Sequence, residues 1–397
     1  MPISIVAKPI YQQLKKVVFL TTPLCDHTFM LSENELLYTL ALQRVKNLGD
    51  TSAKKLLQKV GSAQGVFKEK KSTLLKIGGI GNLKLKALSE KIQLPEAEAE
   101  LRFIQNNNIS YHYFKDPLYP EKLKHCLDSP ILLFESGNVV LRNKRIISIV
   151  GTRKVTTYGV AFCKQLIDEL APLNPIIVSG FAYGVDITAH RAAIDNQLQT
   201  IGCLAHGLNQ IYPKTHKKYV ERVKDNGGFL TEFWSNDPFD RTNFLKRNRV
   251  IAGISEATVV IESAEKGGSL VTADIANSYH REVFAVPGRA SDRQSQGCHN
   301  LIKRQQAHML TSAADLIYML GWEVAPSTSK PQQTQLFIEL TEEEQKVLDY
   351  LKTTEKELLD RIAIACGLPT YKVATLLLNL ELKGVVRPLP GKLFEAL

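Results

Sequence analysis

Long apolar stretches are missing from this sequence of 397 residues. No run approaches the roughly 18 apolar residues that a membrane-spanning helix needs. The short apolar run at residues 17–20 follows two lysines, but Thr-Thr-Pro interrupts it and no small-residue cleavage site follows. It therefore does not indicate a secretion signal. We expect residues 1–31 to form an irregular N-terminal extension and the protein to have no contact with a membrane.

Cysteine is scarce and scattered. The sequence contains no Cys-x-x-Cys pair, and its histidines lack the spacing of metal ligands. The six cysteines are Cys25, Cys126, Cys163, Cys203, Cys298 and Cys366. This pattern argues against a metal cluster or a disulfide framework and fits the reducing cytoplasm. We therefore expect a cytoplasmic protein without a bound metal.

Two nucleotide-binding motifs are absent as well. The fingerprint G-x-G-x-x-G is missing, since seven other residues separate Gly151 from Gly159, and no Walker-type loop is present. These absences disfavour ordinary use of NAD or ATP. We therefore expect no cofactor.

Positive charge is present in excess. Fifty lysines and arginines against forty acidic residues leave a formal net charge of +10. Such an excess favours polyanionic partners, although many basic proteins bind nothing anionic. The length and the hydrophobic content of 44% indicate two or three domains with a substantial core.

Three regions differ in pattern along the chain. Residues 32–110 are helical and punctuated by glycines, and residues 111–325 alternate short apolar runs with amphipathic segments. A polar segment at residues 326–340 is rich in Pro, Ser, Thr and Gln. It precedes a compact helical stretch at residues 341–397. We therefore predict a helical domain, an α/β core, a linker and a C-terminal domain.

The N-terminal helical region contains a short duplication. One glycine turn at residues 45–49 precedes a helical segment, and a second turn at residues 77–81 precedes another. The second copy resembles a helix-hairpin-helix motif, whereas the first lacks one glycine. Such hairpins can aim unpaired amides at phosphate, but the same turns also join helices that never contact DNA. Both interpretations stay open for this small domain of the helix-hairpin-helix or SAM-like type.

The central region alternates buried strands with helices. Its strand-like runs are unbroken, apolar and rich in β-branched residues. They are residues 146–150, 176–178, 200–204, 229–231, 258–261 and 283–286. Amphipathic segments such as residues 159–170 and 186–196 lie between them. This pattern predicts an α/β, Rossmann-like fold with a mostly parallel sheet covered on both faces.

Small and polar residues follow five of these strands. The loops are residues 151–153, 179–186, 212–214, 266–273 and 287–289, and four of them carry a basic residue. Glycines permit close backbone approach, and hydroxyls and amides supply hydrogen bonds. A single glycine loop is weak evidence, but five loops at one sheet edge predict an anion site. None of them resembles a nucleophile with its base.

Two further groups of side chains are candidates for the site. Asp186 and His190 lie four residues apart and could form an acid–base pair, but helix capping by Asp186 and local packing of His190 is the favoured interpretation. The segment 241–249 carries four basic residues that cannot share one helical face. We expect Arg247 and Asn248 to face the ligand and others to pair with acids.

Together these motifs resemble the DprA family of DNA-processing proteins, also called Smf, in order over about residues 110–320. They include Ile-Val-Gly-Thr-Arg at residues 149–153, Ser-Gly-Phe-Ala-Tyr-Gly-Val-Asp at 179–186 and Tyr-Pro at 212–213. By motif position, the resemblance implies a set of DNA contacts. They are Gly151, Arg153, Ser179, Gly180, Ala182, Tyr183, Lys214, Arg247, Asn248, Lys266, Gly268, Ser269 and Thr272. Tyr183 stands where the family often has Arg or Lys, so a phosphate contact there is either replaced by base stacking or lost.

The resemblance also implies a function. It predicts a protein that binds single-stranded DNA, protects incoming DNA, helps load the RecA recombinase during natural transformation and forms a homodimer. On this interpretation the protein is not an enzyme and has no catalytic residues. The competing hypothesis is an enzyme that acts on a nucleotide or a nucleoside phosphate. The loop Pro287-Gly288-Arg289-Ala290-Ser291 lacks the Pro-Gly-Gly-x-Gly-Thr pattern that would support that alternative.

The C-terminal stretch resembles the winged helix found in many members of this family. A predicted helix at residues 357–363, a turn at 367–369 and a second helix at 370–383 precede a short wing at 385–394. This spacing is typical of duplex-DNA binding. The start of the second helix carries only one basic residue, however, so a protein-contact or regulatory role is an equal alternative.

Overall fold

The computed structural model describes residues 31–322, except 91, and residues 340–396, except 355 and 390. The chain divides into two compact units, Met1–Glu323 and Val324–Leu397. Residues 1–30 of the predicted extension, residues 326–339 of the predicted linker and Cys25 lie outside the described residues. The finer domain boundaries stay predictions.

Six helices form the first part of the larger unit that the structure describes, between residues 33 and 106. They are α1 (Glu33–Gln43), α2 (Asp50–Val60), α3 (Ala63–Lys68), α4 (Lys71–Leu74), α5 (Asn82–Glu90) and α6 (Leu94–Asn106). The two predicted glycine turns lie directly before α2 and α5, so helices begin where the sequence indicates. The apolar sides of the helices share one core that includes Leu40, Leu57 and Leu101. That core continues to Phe134 and Trp234, and it thereby joins the helices to the sheet.

A nine-stranded sheet forms the centre of the larger unit. Its strands are β1 (Ser110–Tyr113), β2 (Leu132–Gly137), β3 (Ile146–Val150), β4 (Ile176–Ser179), β5 (Thr200–Cys203), β6 (Gly227–Thr231), β7 (Ala257–Val260), β8 (Glu282–Ala285) and β9 (His308–Met309). Their order is β1-β2-β6-β5-β4-β3-β7-β8-β9. All neighbours from β6 to β9 pair in parallel, whereas β1 and β2 are antiparallel. The predicted Rossmann-like, mostly parallel fold is confirmed.

Helices cover both faces of this sheet. They are α7 (Glu121–Lys124), α8 (Thr157–Leu170), α9 (Val185–Asp195), α10 (Val220–Asp225), α11 (Thr242–Ile254), α12 (Gly268–Ser278), α13 (Gln296–Lys303) and α14 (Ala313–Met319). Short 3₁₀ turns lie at Ala171–Leu173, Lys214–Tyr219 and Arg293–Ser295. Alternate residues of β3 enter different cores, with Ile146 and Val150 on one face and Ile147 and Ile149 on the other. A strand buried on both faces explains its unbroken apolar sequence.

The position of β3 creates a crevice. The chain leaves β3 for β4 on one side and later returns to β7 on the other side. Loops that leave a sheet in opposite directions open a gap at the carboxyl ends of the strands, and this is where such folds bind ligands. Three of the five predicted anion loops, residues 151–153, 179–186 and 266–273, contribute to the cleft at this point. The predicted convergence of all five is wrong, because residues 212–214 lie at a separate cavity and residues 287–289 line neither.

The smaller unit is a winged helix. Its elements are α15 (Glu342–Thr354), β10 (Lys356–Leu358), α16 (Leu359–Cys366), α17 (Thr370–Leu382), β11 (Val386–Leu389) and β12 (Leu393–Ala396). The predicted turn and second helix are present, but residues 357–358 belong to β10, which pairs with β12. Among the described residues, no single helix is long and apolar enough to cross a membrane. The α16–α17 pair reaches that length and apolar content jointly, but it is bent by 107°.

Candidate nucleic-acid interface

A cleft of about 330 Å³ lies at the carboxyl end of β3. The end of β3, the start of α9, one face of α11 and the loop before α12 form its walls. Nine of the predicted DNA contacts line it together. They are Gly151, Arg153, Ala182, Arg247, Asn248, Lys266, Gly268, Ser269 and Thr272.

Gly151 allows the walls of the cleft to approach each other. A methyl group at this position would lie 2.5 Å from Cγ2 of Val185 and 2.9 Å from the carbonyl oxygen of Glu262. The next residue links the same elements, because the amide of Thr152 donates to Glu262 O at 2.8 Å and its carbonyl accepts from Val185 N at 3.2 Å. The loop is therefore held in place by backbone bonds on both sides.

Arg247 provides a buried positive charge at the base of the cleft. Its side chain passes over Gly180, where any Cβ would overlap the guanidinium, and Nη1 donates to Cys203 O at 2.6 Å. Its Nε has no hydrogen-bond partner in the described structure. The carboxylate of Asp186 lies nearby, and burial raises its pKa while the charge of Arg247 acts in the opposite direction. This neighbouring carboxylate offsets part of the cost of burying the arginine.

The other cations of the cleft are exposed. Arg153 and Lys266 both reach solvent, and the guanidinium of Arg153 lies 5.3 Å from the ring centroid of Phe244. Three basic side chains thus face a single carboxylate, that of Asp186, among the described residues that line the cleft. The cleft has a positive charge that suits phosphate groups.

Most hydroxyl groups near the cleft are already engaged. Ser179 is fully buried and donates to Ile149 O at 2.6 Å, while Thr272 donates to Gly268 O at 3.2 Å. Ser269 donates to Ser263 Oγ at 3.0 Å. Ser179 and Gly180 therefore support the cleft from behind and do not line it. Their predicted DNA contacts stay predictions.

Asp186 and His190 do not form an acid–base pair. The hydroxyl of Thr200 donates to Ile177 O, so it accepts from Nδ1 of His190, 2.7 Å away. Burial lowers the pKa of His190 to about 3, which keeps the ring neutral. Asp186 lies in the first turn of α9 and accepts from the amide of Ala182, which precedes the helix, at 3.3 Å. The N-cap residue is Gly184, so the predicted capping of the helix by Asp186 is wrong.

Three aromatic rings form a wall beside the cleft, which we call the aromatic ridge. It consists of Tyr212, Phe239 and Phe244, with ring centroids 4.7–5.9 Å apart. Phe244 lines the cleft, and the other two rings are exposed. Phe244 was not among the predicted site residues, although its position in the basic segment was a usable signal, since aromatic and basic side chains together are typical of nucleic-acid grooves.

A second cavity of about 610 Å³ lies on the other side of the aromatic ridge, and Lys214 lines it. The structure therefore places Lys214 beside the first cleft and not in it. Tyr183 lines neither cavity. It is half-exposed, accepts a hydrogen bond from the hydroxyl of Thr215 at 3.1 Å and packs edge-on against His216.

Comparisons with known proteins agree with this architecture. A family model described as DNA recombination-mediator protein A matches residues 110–321, and one described as DprA winged helix domain matches residues 329–392. Protein Smf of Escherichia coli (strain K12) is 33% identical over 302 residues, which cover 74% of this chain and 79% of that protein. The putative DNA processing protein DprA of Mycobacterium tuberculosis (strain ATCC 25618 / H37Rv) is 33% identical over 273 residues, which cover 68% of this chain and 70% of that protein.

A solved structure extends the likeness to three dimensions. DNA processing protein A (DprA) from Streptococcus pneumoniae superposes with a TM-score of 0.62 at 29% identity, covering 72% of this chain and 98% of that one. Both the core and the winged helix of this chain thus match the same family. The chain belongs to the DNA recombination-mediator protein A family.

Proposed function

We propose that this protein binds single-stranded DNA in the β3 cleft and acts as a recombination mediator. The observation that carries the proposal is the meeting of Arg153, Arg247 and Lys266 with the ring of Phe244 at one sheet edge. Cations neutralise a phosphate backbone, and an aromatic ring offers a stacking surface to any base. The combination suits a nucleic-acid strand better than a free anion.

The shape of the cleft favours a single strand over a duplex. A space of about 330 Å³ is large enough for only a few chemical groups of a nucleotide strand. The ring of Phe244 can stack only on a base that is not already paired and stacked in a duplex. The guanidinium and ammonium groups read charge and not base identity. We therefore expect weak sequence preference and strong salt dependence.

The family membership supports the biological part of the proposal. We infer that the protein protects incoming single strands and helps load RecA onto them during natural transformation, and that it works as a homodimer. The five described cysteines are free thiols, which fits action in the cytoplasm.

We infer further that binding proceeds without catalytic turnover. The hydroxyls of Ser179, Ser269 and Thr272 donate to protein acceptors, and His190 is buried on Thr200. None of these groups is paired as nucleophile and base. Incubation of the protein with nucleotides tests the enzymatic alternative. Release of free base would support an enzyme, and its absence is expected for a protein that only binds DNA.

The central test is the double variant Arg153→Ala/Lys266→Ala, because both side chains are exposed and their loss leaves the core intact. We expect at least a tenfold weaker affinity for a fluorescent oligothymidylate, and a salt slope reduced by about 0.7 for each lost phosphate contact. Fluorescence anisotropy over a salt series measures both.

The matched control is Lys154→Ala, which removes an exposed cation next to Arg153 but outside the cleft. It should retain the wild-type affinity. Equal affinities of the double variant and the wild type would refute the proposed cleft.

A further inference from the structure

We propose that the second cavity binds an unstacked nucleobase from the same DNA strand that occupies the β3 cleft. The inference rests on the proposed function and extends it to a second site with its own chemistry. The interior is apolar, and its rim is basic. A nucleobase attached to a phosphate backbone has the same two properties.

The cavity floor consists of aliphatic and aromatic side chains. They are Leu204, Leu208, Ile211, Val220 and Phe229, with Tyr212 and Phe239 on one side. A volume of about 610 Å³ lies within the range of ligand sites, roughly 300–1,000 Å³. The surface is therefore large and apolar enough to cover the faces of a base.

The rim of the cavity carries three lysines, Lys214, Lys217 and Lys224. None of the described residues that line the cavity is acidic. Asn209, Gln210 and Ser136 add polar groups, which can bond to the edges of a base. Lys224 Nζ also lies 3.8 Å from a carboxylate oxygen of Glu221, which does not line the cavity. An apolar side chain of a protein partner would offer no anion to Lys214 and Lys217, so the charge favours a nucleotide.

The aromatic ridge connects the two sites. Phe244 lines the cleft, Tyr212 and Phe239 line the second cavity, and Phe244 is 5.9 Å and 5.6 Å from them, centroid to centroid. A strand advances by about 3.4 Å per nucleotide even when its bases are stacked. A few nucleotides therefore suffice to pass from one site to the other across these rings.

The loop that forms the cavity mouth is held rigidly. His206 is buried, donates from Nδ1 to Gly207 O at 2.9 Å and accepts from the amide of Tyr212 at 3.2 Å. Asn209 donates to Ser235 O at 2.6 Å. A preformed site loses little conformational entropy on binding, which favours capture of a mobile single strand.

The test compares two ways of lengthening a short oligothymidylate. A core oligonucleotide that just fills the β3 cleft is extended at either end with thymidines or with the same number of abasic nucleotides. Both extensions add phosphates, but only thymidines add bases. At one end we expect the thymidine extension to bind roughly tenfold more tightly than the abasic one, as one stacked base typically contributes.

Blocking the cavity should abolish this difference. In Ile211→Trp the indole fills the second cavity, so the oligonucleotides with thymidine and abasic extensions should bind with equal affinity. The core oligonucleotide should bind this variant with the wild-type affinity. A second pair of variants does not depend on the fold of that loop. Lys217→Gln should reduce the salt slope of the extended oligonucleotide by about 0.7. Lys218→Gln, an exposed neighbour outside the cavity, should not.

The outcomes separate the two proposals. If the core oligonucleotide fails to bind the wild type, the proposed function itself is wrong. If the core binds but thymidine and abasic extensions bind equally at both ends, the second site is wrong and the proposed function stands. A thymidine preference that persists in folded Ile211→Trp, together with identical salt slopes for the two lysine variants, also overturns the inference.

Discussion

The position of the Arg247 side chain depends on Gly180, which has no side chain to occupy the same space. Its guanidinium occupies the space where a Cβ would stand, and from there it reaches both Cys203 O and the neighbourhood of Asp186. At 5% exposure it lines the cleft but cannot turn freely toward solvent. We infer that Arg247 contributes a fixed field to the cleft, while the exposed Arg153 and Lys266 adapt to the strand.

This arrangement makes Gly180 sensitive to the smallest substitution. Gly180→Ala should lower the free energy of unfolding by about 1–3 kcal/mol, because the methyl group overlaps the buried guanidinium. Urea unfolding followed by circular dichroism measures the change. Gly268→Ala is the control, since a methyl group there meets no atom within 4 Å. Identical urea midpoints for the two variants would contradict the packing argument.

Seven of the nine predicted contacts that line the cleft could be located from the sequence because they lie in the loops after β3, β4 and β7 or in the first two turns of α12. Arg247 and Asn248 lie in the middle of α11, and they were predicted from the basic segment and from the resemblance. The carboxyl ends of parallel strands converge, so Gly151 and Gly268 had to meet if the strands were identified correctly. Lys214 was harder to place, since a ten-residue loop, residues 204–213, carries it across the sheet. Phe244 was missed because the face that a helix turns toward a cleft depends on its tertiary packing.

At the level of elements, the predicted strands with long apolar runs are all present. The strands that the sequence did not indicate are β1, β2, β9 and β10. They are edge strands, very short or antiparallel, and their residues are partly exposed. Residues of β10 were predicted to lie in a helix, because a strand of three residues is too short to show an alternating pattern of apolar and polar residues. Its partner strand β12 is also more than thirty residues away in the sequence, so the pairing could not be read from the local pattern.

A charged cluster joins helix α2 to helix α11. Arg249 bonds to Asp50 at 3.1 Å and to Glu232, and Nη1 also donates to Asp128 O. Burial raises the pKa of Glu232 to about 7, although the charge of Arg249 acts in the opposite direction. One oxygen of this carboxylate, Oε1, has no partner in the described structure. The cluster therefore holds the N-terminal helices on the core at some electrostatic cost.

The raised pKa predicts a pH-dependent stability. Between pH 4.5 and 7 the folded protein retains a proton on Glu232 that the unfolded chain has released. The contribution of Glu232 to the free energy of unfolding therefore falls as the pH rises through that window. The free energy of unfolding of the wild type relative to Glu232→Gln should drop by about 2–3 kcal/mol. Urea unfolding at several pH values measures it. Glu121→Gln, a highly exposed site, serves as control, and a flat difference for Glu232→Gln disproves the assignment.

At the scale of the whole molecule, the winged helix is a separate unit with little free positive charge on its second helix. Lys372 pairs with Glu343 at 2.5 Å, and Lys383 with Glu344 at 2.6 Å. Exposed apolar side chains, Tyr371 among them, lie on the same helix. These features favour the protein-contact alternative over duplex binding.

Removal of the smaller unit should therefore leave strand binding intact. A chain that ends at residue 323 should bind oligothymidylate within about twofold of the full-length affinity, because both cavities lie in the larger unit. Fluorescence anisotropy with the same oligonucleotide makes the comparison. A tenfold loss on truncation would assign part of the DNA contact to the winged helix.

Helix α11 carries Phe244, Arg247 and Arg249 within two turns. The ring that lines the β3 cleft and the arginine that binds Asp50 of the N-terminal helices therefore share one rigid backbone. A homologue that dispenses with those helices would leave the guanidinium at 249 without Asp50 and expose the carboxylate at 232 to water. We therefore expect evolutionary loss of the helices to coincide with changes at both positions, whereas residues 244 and 247, which line the β3 cleft, should vary independently of Asp50.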